Sequence, residues 1–134
     1  MPRVQNFPFW LHILIETPAS LNFFLNPSQQ LPSPAPQAHP VIKQYAVLLL
    51  VSNLIALIFA LRSLDHTSKN VALALSIYHL APFVRATLRI LAGDYQYGKG
   101  LGGPWLHLIV HGACFAALIG VGFSGKTGEK KAKN

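Results

Sequence analysis

Residues 41–61 read VIKQYAVLLLVSNLIALIFAL, a run of Leu, Ile, Val and Ala with Lys43, Gln44 and Tyr45 near its start and only Ser52 and Asn53 as polar residues further in. A helix needs about 20 such residues to cross a hydrocarbon layer about 30 Å thick. The segment therefore reads as a membrane span, and lipid becomes the solvent against which the rest of the chain is judged.

Three further stretches have the same character. Residues 7–25, FPFWLHILIETPASLNFFL, carry Pro18 in their interior, where a helix is expected to kink. His12 and Glu16 interrupt the apolar run too deeply for a cleaved signal, so this stretch reads as a span too. Residues 70–91 and 104–123 complete the set, and the sequence predicts an all-α protein, one domain built as a four-helix transmembrane bundle. With 51% hydrophobic and 11% charged residues and a mean hydropathy of +0.38, 134 residues could not hide their apolar surface from water. The connections read as an extended proline-rich linker over 26–40 (NPSQQLPSPAPQAHP), a short polar turn over 62–69, a Gly-rich loop over 93–103 and a basic tail over 124–134.

The net charge of +7 does not mark a nucleic-acid binder, because the positive residues sit at segment ends and not on one face. Four spans put both termini on one side. That side holds Arg3, Arg62, Lys69, Lys126, Lys130, Lys131 and Lys133 against Lys43, Arg89 and Lys99 opposite, so the positive-inside rule places both ends in the cytosol. Trp10, Trp105, Tyr95 and Tyr97 fall near segment ends, as an aromatic belt requires. The terminal KKAKN is similar to a dilysine retrieval signal shifted by one position, which points to the endoplasmic reticulum. Cys114, the single cysteine, lies in an apolar helix and reads as a packing residue.

Ionisable residues inside these spans define the candidate site, since a charge in lipid is costly unless paired or turned to a protein cavity. With about 1.5 Å of rise per residue, Glu16, Asn53 and His79 fall near mid-membrane. His111, Asn22 and Arg85 share a level in the non-cytosolic half, and His107 and Arg89 approach that interface. The expected result is a polar pocket opening away from the cytosol. Glu16 is the candidate acid, His79 and His111 are proton acceptors or orienting groups, and Arg85 tunes the carboxylate; Asn53, Asn22 and His107 would contact substrate. A plainer reading pairs Glu16 with Arg85 as an ion pair fixing helix register. His12 and His107 belong near opposite membrane faces, so at most Glu16, His79 and His111 could converge on a metal; neither a metal nor a cofactor is assigned.

Ser52, Ala56 and Ala60 on the second span, and Gly112, Ala116 and Gly120 on the fourth, form small-residue faces suited to close helix contact. They support a second hypothesis, a non-catalytic scaffold binding membrane-bound biosynthetic enzymes or a second copy of the chain. Residues 120–127, GVGFSGKT, match a phosphate-loop pattern, and residues 98–103, GKGLGG, match G-x-G-x-x-G. Neither has the strand and helix that would make it a phosphate site.

The blocks ETPASLNFFLNP, QAHPVIKQYAVLLL, IYHLAPFVRA and GGPWLHLIVHG together resemble a family of small four-span integral membrane proteins of filamentous fungi. The plan is also similar to the DoxX-like, anthrone-oxygenase-like and emopamil-binding families, though none of their signatures is matched residue by residue. The resemblance implies a setting in fungal secondary metabolism. The apolar spans imply the lipid bilayer as a partner, and the acid–base residues of the pocket imply a lipophilic small molecule such as a polyketide or terpenoid, subject to isomerisation or cyclisation.

Overall fold

The structure, a computed structural model, describes residues 4–31, 33–95 and 102–125. Arg3, Tyr97, Lys99 and the tail lysines lie outside the described residues, as does the rest of the tail from residue 126. Four α-helices carry the fold: α1 Phe7–Leu25, α2 His39–Leu61, α3 His66–Leu91 and α4 Pro104–Gly122. No strand occurs among the described residues. The four-helix bundle read from the sequence is the fold observed.

Two boundaries differ from expectation for local reasons. The α3 helix begins four residues before position 70 because Asp65 caps it: its carboxylate accepts from the Ser68 backbone N–H at 2.7 Å, and Ser68 reaches back toward the Asp65 backbone. This reciprocal arrangement satisfies donors that a helix start leaves open. The bonds from Ser68, with Arg62 alongside, hold the Asp65 carboxyl below the usual aspartate range. The cap therefore contributes its stability above that range and loses it as pH falls through the lowered value. The proline-rich linker is not structureless throughout. It winds into two 3-10 turns, Pro27–Gln30 and Pro36–Ala38, each opened by a proline whose fixed φ suits a first helical position.

The helices run up and down. Ser20 of α1 donates to the Ala46 carbonyl of α2 while Asn6 meets the far end of α2, so these two helices are antiparallel. At the other side of the bundle, Lys69 at the start of α3 donates to the Ser124 and Gly125 carbonyls beyond the end of α4. Buried positions recur every three or four residues: Ala46, Leu49, Asn53, Ala56 and Ala60 on α2; His111, Cys114, Leu118 and Val121 on α4. That rhythm is the one by which helices of a bundle interlock.

The three helices α2, α3 and α4 are long and apolar enough to cross a membrane, and only about a quarter of each apolar window is buried inside the protein. Leu48, Leu54, Ile58, Ile77, Ile109 and their neighbours point outward. Helices apolar on all sides belong in lipid, and the chain is a membrane protein. The α1 helix falls short of them in hydropathy because its inner face carries His12, Glu16 and Ser20 in a four-residue rhythm.

The interior is divided along its length. At the end where α1 and α3 start and α2 and α4 finish, Phe9, Ala56, Ala60, Ala72, Leu75, Leu118 and Val121 form a closed apolar core, with Phe9 stacked on Phe59. Ala56 is fully buried there, so the small-residue face of α2 serves the bundle's own packing and is not free for a partner. Packing is also tight between α3 and α4, where a Cβ on Gly112 would stand 3.1 Å from the Phe83 ring. Gly112→Leu is expected to force these helices apart and cost about 1–3 kcal/mol. Unfolding of the detergent-solubilised chain against the exposed control Gly120→Leu measures it, because nothing lies within 4 Å of a Cβ at Gly120.

Candidate functional site

Above the apolar core the four helices turn polar side chains toward one another. From α1 come His12 and Glu16, from α2 Ser52, from α3 Tyr78 and His79, and from α4 His111. Glu16 and His79 are 1% and 0% exposed, and His12 is fully buried. They form a connected line. His12 Nε2 lies 3.2 Å from Ser52 Oγ, His12 Nδ1 lies 2.8 Å from His79 Nε2, and His79 Nδ1 lies 2.9 Å from His111 Nδ1.

The proton positions along this line follow from its far end. Ser52 Oγ sits 2.7 Å from the Leu49 carbonyl, which can only accept, so the hydroxyl hydrogen is committed there. His12 must then donate from Nε2 to Ser52, which leaves its Nδ1 as an acceptor. His79 in turn donates from Nε2 to His12, which leaves the His79 Nδ1 lone pair facing Glu16 and His111. The assignment rests on the hydrogen-bond pattern.

Glu16 approaches the same place from the other side. Its Oε2 accepts from the Tyr78 hydroxyl at 2.8 Å, and Tyr78 is met by the Tyr45 hydroxyl at 3.3 Å. Its Oε1 stands 3.6 Å from both His79 Nδ1 and His111 Nδ1, too far for a hydrogen bond, and has no hydrogen-bond partner among the described residues. Ligand atoms of Glu16, His79 and His111 all lie within 4.8 Å of one another, so among the described residues these are able to hold a metal ion.

A cavity of about 340 Å³ opens beside this cluster, bounded by Glu16, Tyr45, Tyr78, Arg85, His107 and His111 with apolar side chains between them. It continues past Phe23, Arg89 and Pro104 toward the end where α1 and α3 finish. Its size lies at the lower end of the range for small-molecule sites, about 300–1,000 Å³.

The sequence-derived residues divide into groups. Glu16, His79 and His111 come together. His107 stacks on His111 at 5.8 Å between ring centroids, and its Nδ1 lies 3.0 Å from the Gly103 carbonyl, at the cavity wall. Arg85 is exposed on that wall, and the expected ion pair with Glu16 is not formed, since Glu16 contacts Tyr78 and the two histidines instead. Asn53 donates to Thr17 at 3.3 Å and so fastens α2 to α1. Asn22 lies at the end of α1, where it accepts from Asn26, outside the cluster.

Three members were missed: His12, Tyr78 and Ser52, the last read only as a small packing residue. His12 was placed too far toward one membrane face by counting Cα rise alone. The imidazole rings extend several ångströms from their backbones, so His12 and His79 meet at 2.8 Å although their Cα positions count to different depths. A four-residue offset from Glu16 was the available signal. Tyr78 stands next to His79 in sequence, and adjacent residues do not share a helix face, so a pattern reading separates them. No family model, curated protein or solved structure matches the chain.

Proposed function

We propose that this protein is a membrane-embedded enzyme, or enzyme accessory, acting on a lipophilic small molecule of polyketide or terpenoid kind by acid–base isomerisation or cyclisation. One observation carries the reading: a hydrogen-bonded line of three imidazoles and a buried carboxylate bonded to a phenol stand against each other beside a cavity with largely apolar walls. An apolar substrate would reach that cavity from the bilayer. Glu16 would deliver or remove the proton, with Tyr78 holding its second oxygen, and His79 and His111 would take up the exchanged proton. Positioned groups of this kind contribute about 10²–10⁴-fold to such a step. Cytosolic termini and a place in the endoplasmic reticulum complete the proposal on the charge distribution and the terminal lysines, and a role in fungal secondary metabolism on the family resemblance alone.

The experiment is metabolite profiling of a deletion strain beside one carrying Glu16→Gln, with product normalised to protein level. Gln keeps the side chain's shape and abolishes its acidity. The expected result is a compound lost on deletion and reduced at least about 100-fold by the substitution. Wild-type levels of that compound in the Glu16→Gln strain would overturn the reading.

A further inference from the structure

We infer that Glu16, His79 and His111 form a binding site for one divalent transition-metal ion of zinc-like coordination, open on its fourth side to the cavity. This rests on the proposed function's cluster being the reacting centre and revises the roles within it: with an ion bound, Glu16, His79 and His111 would hold the ion rather than exchange protons, and the ion would polarise the substrate at the cavity.

Glu16 Oε1, His79 Nδ1 and His111 Nδ1 make a triangle with edges of 3.6, 3.6 and 2.9 Å. The point equidistant from the three corners lies about 2.0 Å from each, within the range of zinc–nitrogen and zinc–carboxylate bonds. Their mean separation, about 3.4 Å, is also that of neighbouring donors around a tetrahedral ion with bonds of about 2.05 Å. The donor atoms thus already stand at coordination spacing.

Donor chemistry agrees with the spacing. A ligating histidine must present a bare nitrogen, and the line from Leu49 through Ser52 and His12 leaves His79 Nδ1 in that form. Glu16 Oε1 is a buried carboxylate oxygen with no hydrogen-bond partner, an arrangement costly to keep unless something occupies the space in front of it. His111 completes the set once its own proton resides on Nε2. Metal-binding histidines commonly donate their second ring N–H to a partner that fixes the ring, and ligating carboxylates are themselves hydrogen-bonded. Here His79 donates to His12 and Glu16 accepts from Tyr78.

Two histidines and one glutamate with a free coordination place form the donor set of catalytic zinc sites, whereas structural zinc sites are closed by four protein ligands. The same set serves ferrous iron in octahedral surroundings. The near-tetrahedral spacing favours zinc.

The test uses the full chain in detergent micelles, purified without a histidine tag, stripped with chelator and titrated with Zn²⁺. The expected result is one ion per chain, with affinity lowered about 100-fold or more by His111→Ala and about 10-fold by Tyr78→Phe. His66→Ala, an exposed histidine bonded to Asn70, should leave affinity unchanged. Co²⁺ in place of Zn²⁺ should give the visible absorption of a tetrahedral ion, and Glu16→Gln, which preserves shape, should alter that spectrum. Less than one tenth of an ion per chain, or wild-type affinity in both His111→Ala and Glu16→Gln, overturns the site. Ferrous iron bound in preference to zinc overturns the zinc-like assignment. Stoichiometric zinc with an undiminished compound in the Glu16→Gln strain sinks the proposed function but not the metal site; the opposite pairing sinks the metal site alone.

Discussion

Replacing His79 by alanine is expected to lower the unfolding free energy of the solubilised protein by about 3 kcal/mol and to remove the deletion-dependent compound altogether. His79 is the single residue through which the α1 and α4 parts of the cluster are hydrogen-bonded to each other. Without it His12 Nδ1 and His111 Nδ1 are both stranded in the interior, and each buried polar atom left unpaired costs about 1–3 kcal/mol. The missing ring also leaves a void. His66→Ala serves as the comparison: that residue lies exposed at the start of α3, and its loss should move the transition by less than about 0.5 kcal/mol. Equal transitions for the two variants, measured by denaturant titration in mixed micelles, would remove the cluster from any structural role.

The second large effect concerns a residue that adjoins α1 in sequence but supports α2. Asn6 immediately precedes α1 and is a favoured residue type for capping it, yet its side chain makes no bond to that helix. It is buried and donates instead to the Ala60 carbonyl at 2.9 Å and the Arg62 carbonyl at 2.6 Å. The last turn of a helix leaves its carbonyls without internal partners, and no glycine closes α2 in the usual way. Asn6→Ala is expected to destabilise the protein by about 2 kcal/mol, the cost of a buried acceptor left open. Asn6→Asp should be at least as harmful despite its similar shape, because it sets a carboxylate oxygen against carbonyl oxygens. Unfolding of the two variants side by side checks this; an Asp variant as stable as wild type would mean that the amide does not close α2.

Both predictions arise from contacts between elements, and that marks the limit of what the chain revealed in one dimension. The span over 41–61 needed nothing beyond its composition, and α1 was legible to the residue because Pro8 at its start and the Asn-Pro after Leu25 bound it. The start of α3 was misplaced because Asp65, His66 and Thr67 look like a turn to a hydropathy reading, whereas an Asp followed three residues later by Ser is a helix start. Within the site, Glu16, His79 and His111 could be grouped by depth, since helix rise converts position into height. Depth does not give azimuth. Arg85 and Asn22 share a level with His111 and still end on the wall and beyond the cluster, while Asn53 reaches Thr17. His12 was lost for the converse reason, as side-chain reach spans a full helical turn.

The division of the interior into a polar and an apolar half carries a consequence for the route of protons. At its inner end the histidine line terminates in Ser52, whose hydroxyl hydrogen is spent on Leu49 of the same helix, and below it lies the core of Phe9, Leu118 and the alanines. Among the described residues the line thus has its open end at His111 beside the cavity, and protons would enter and leave the cluster by that side.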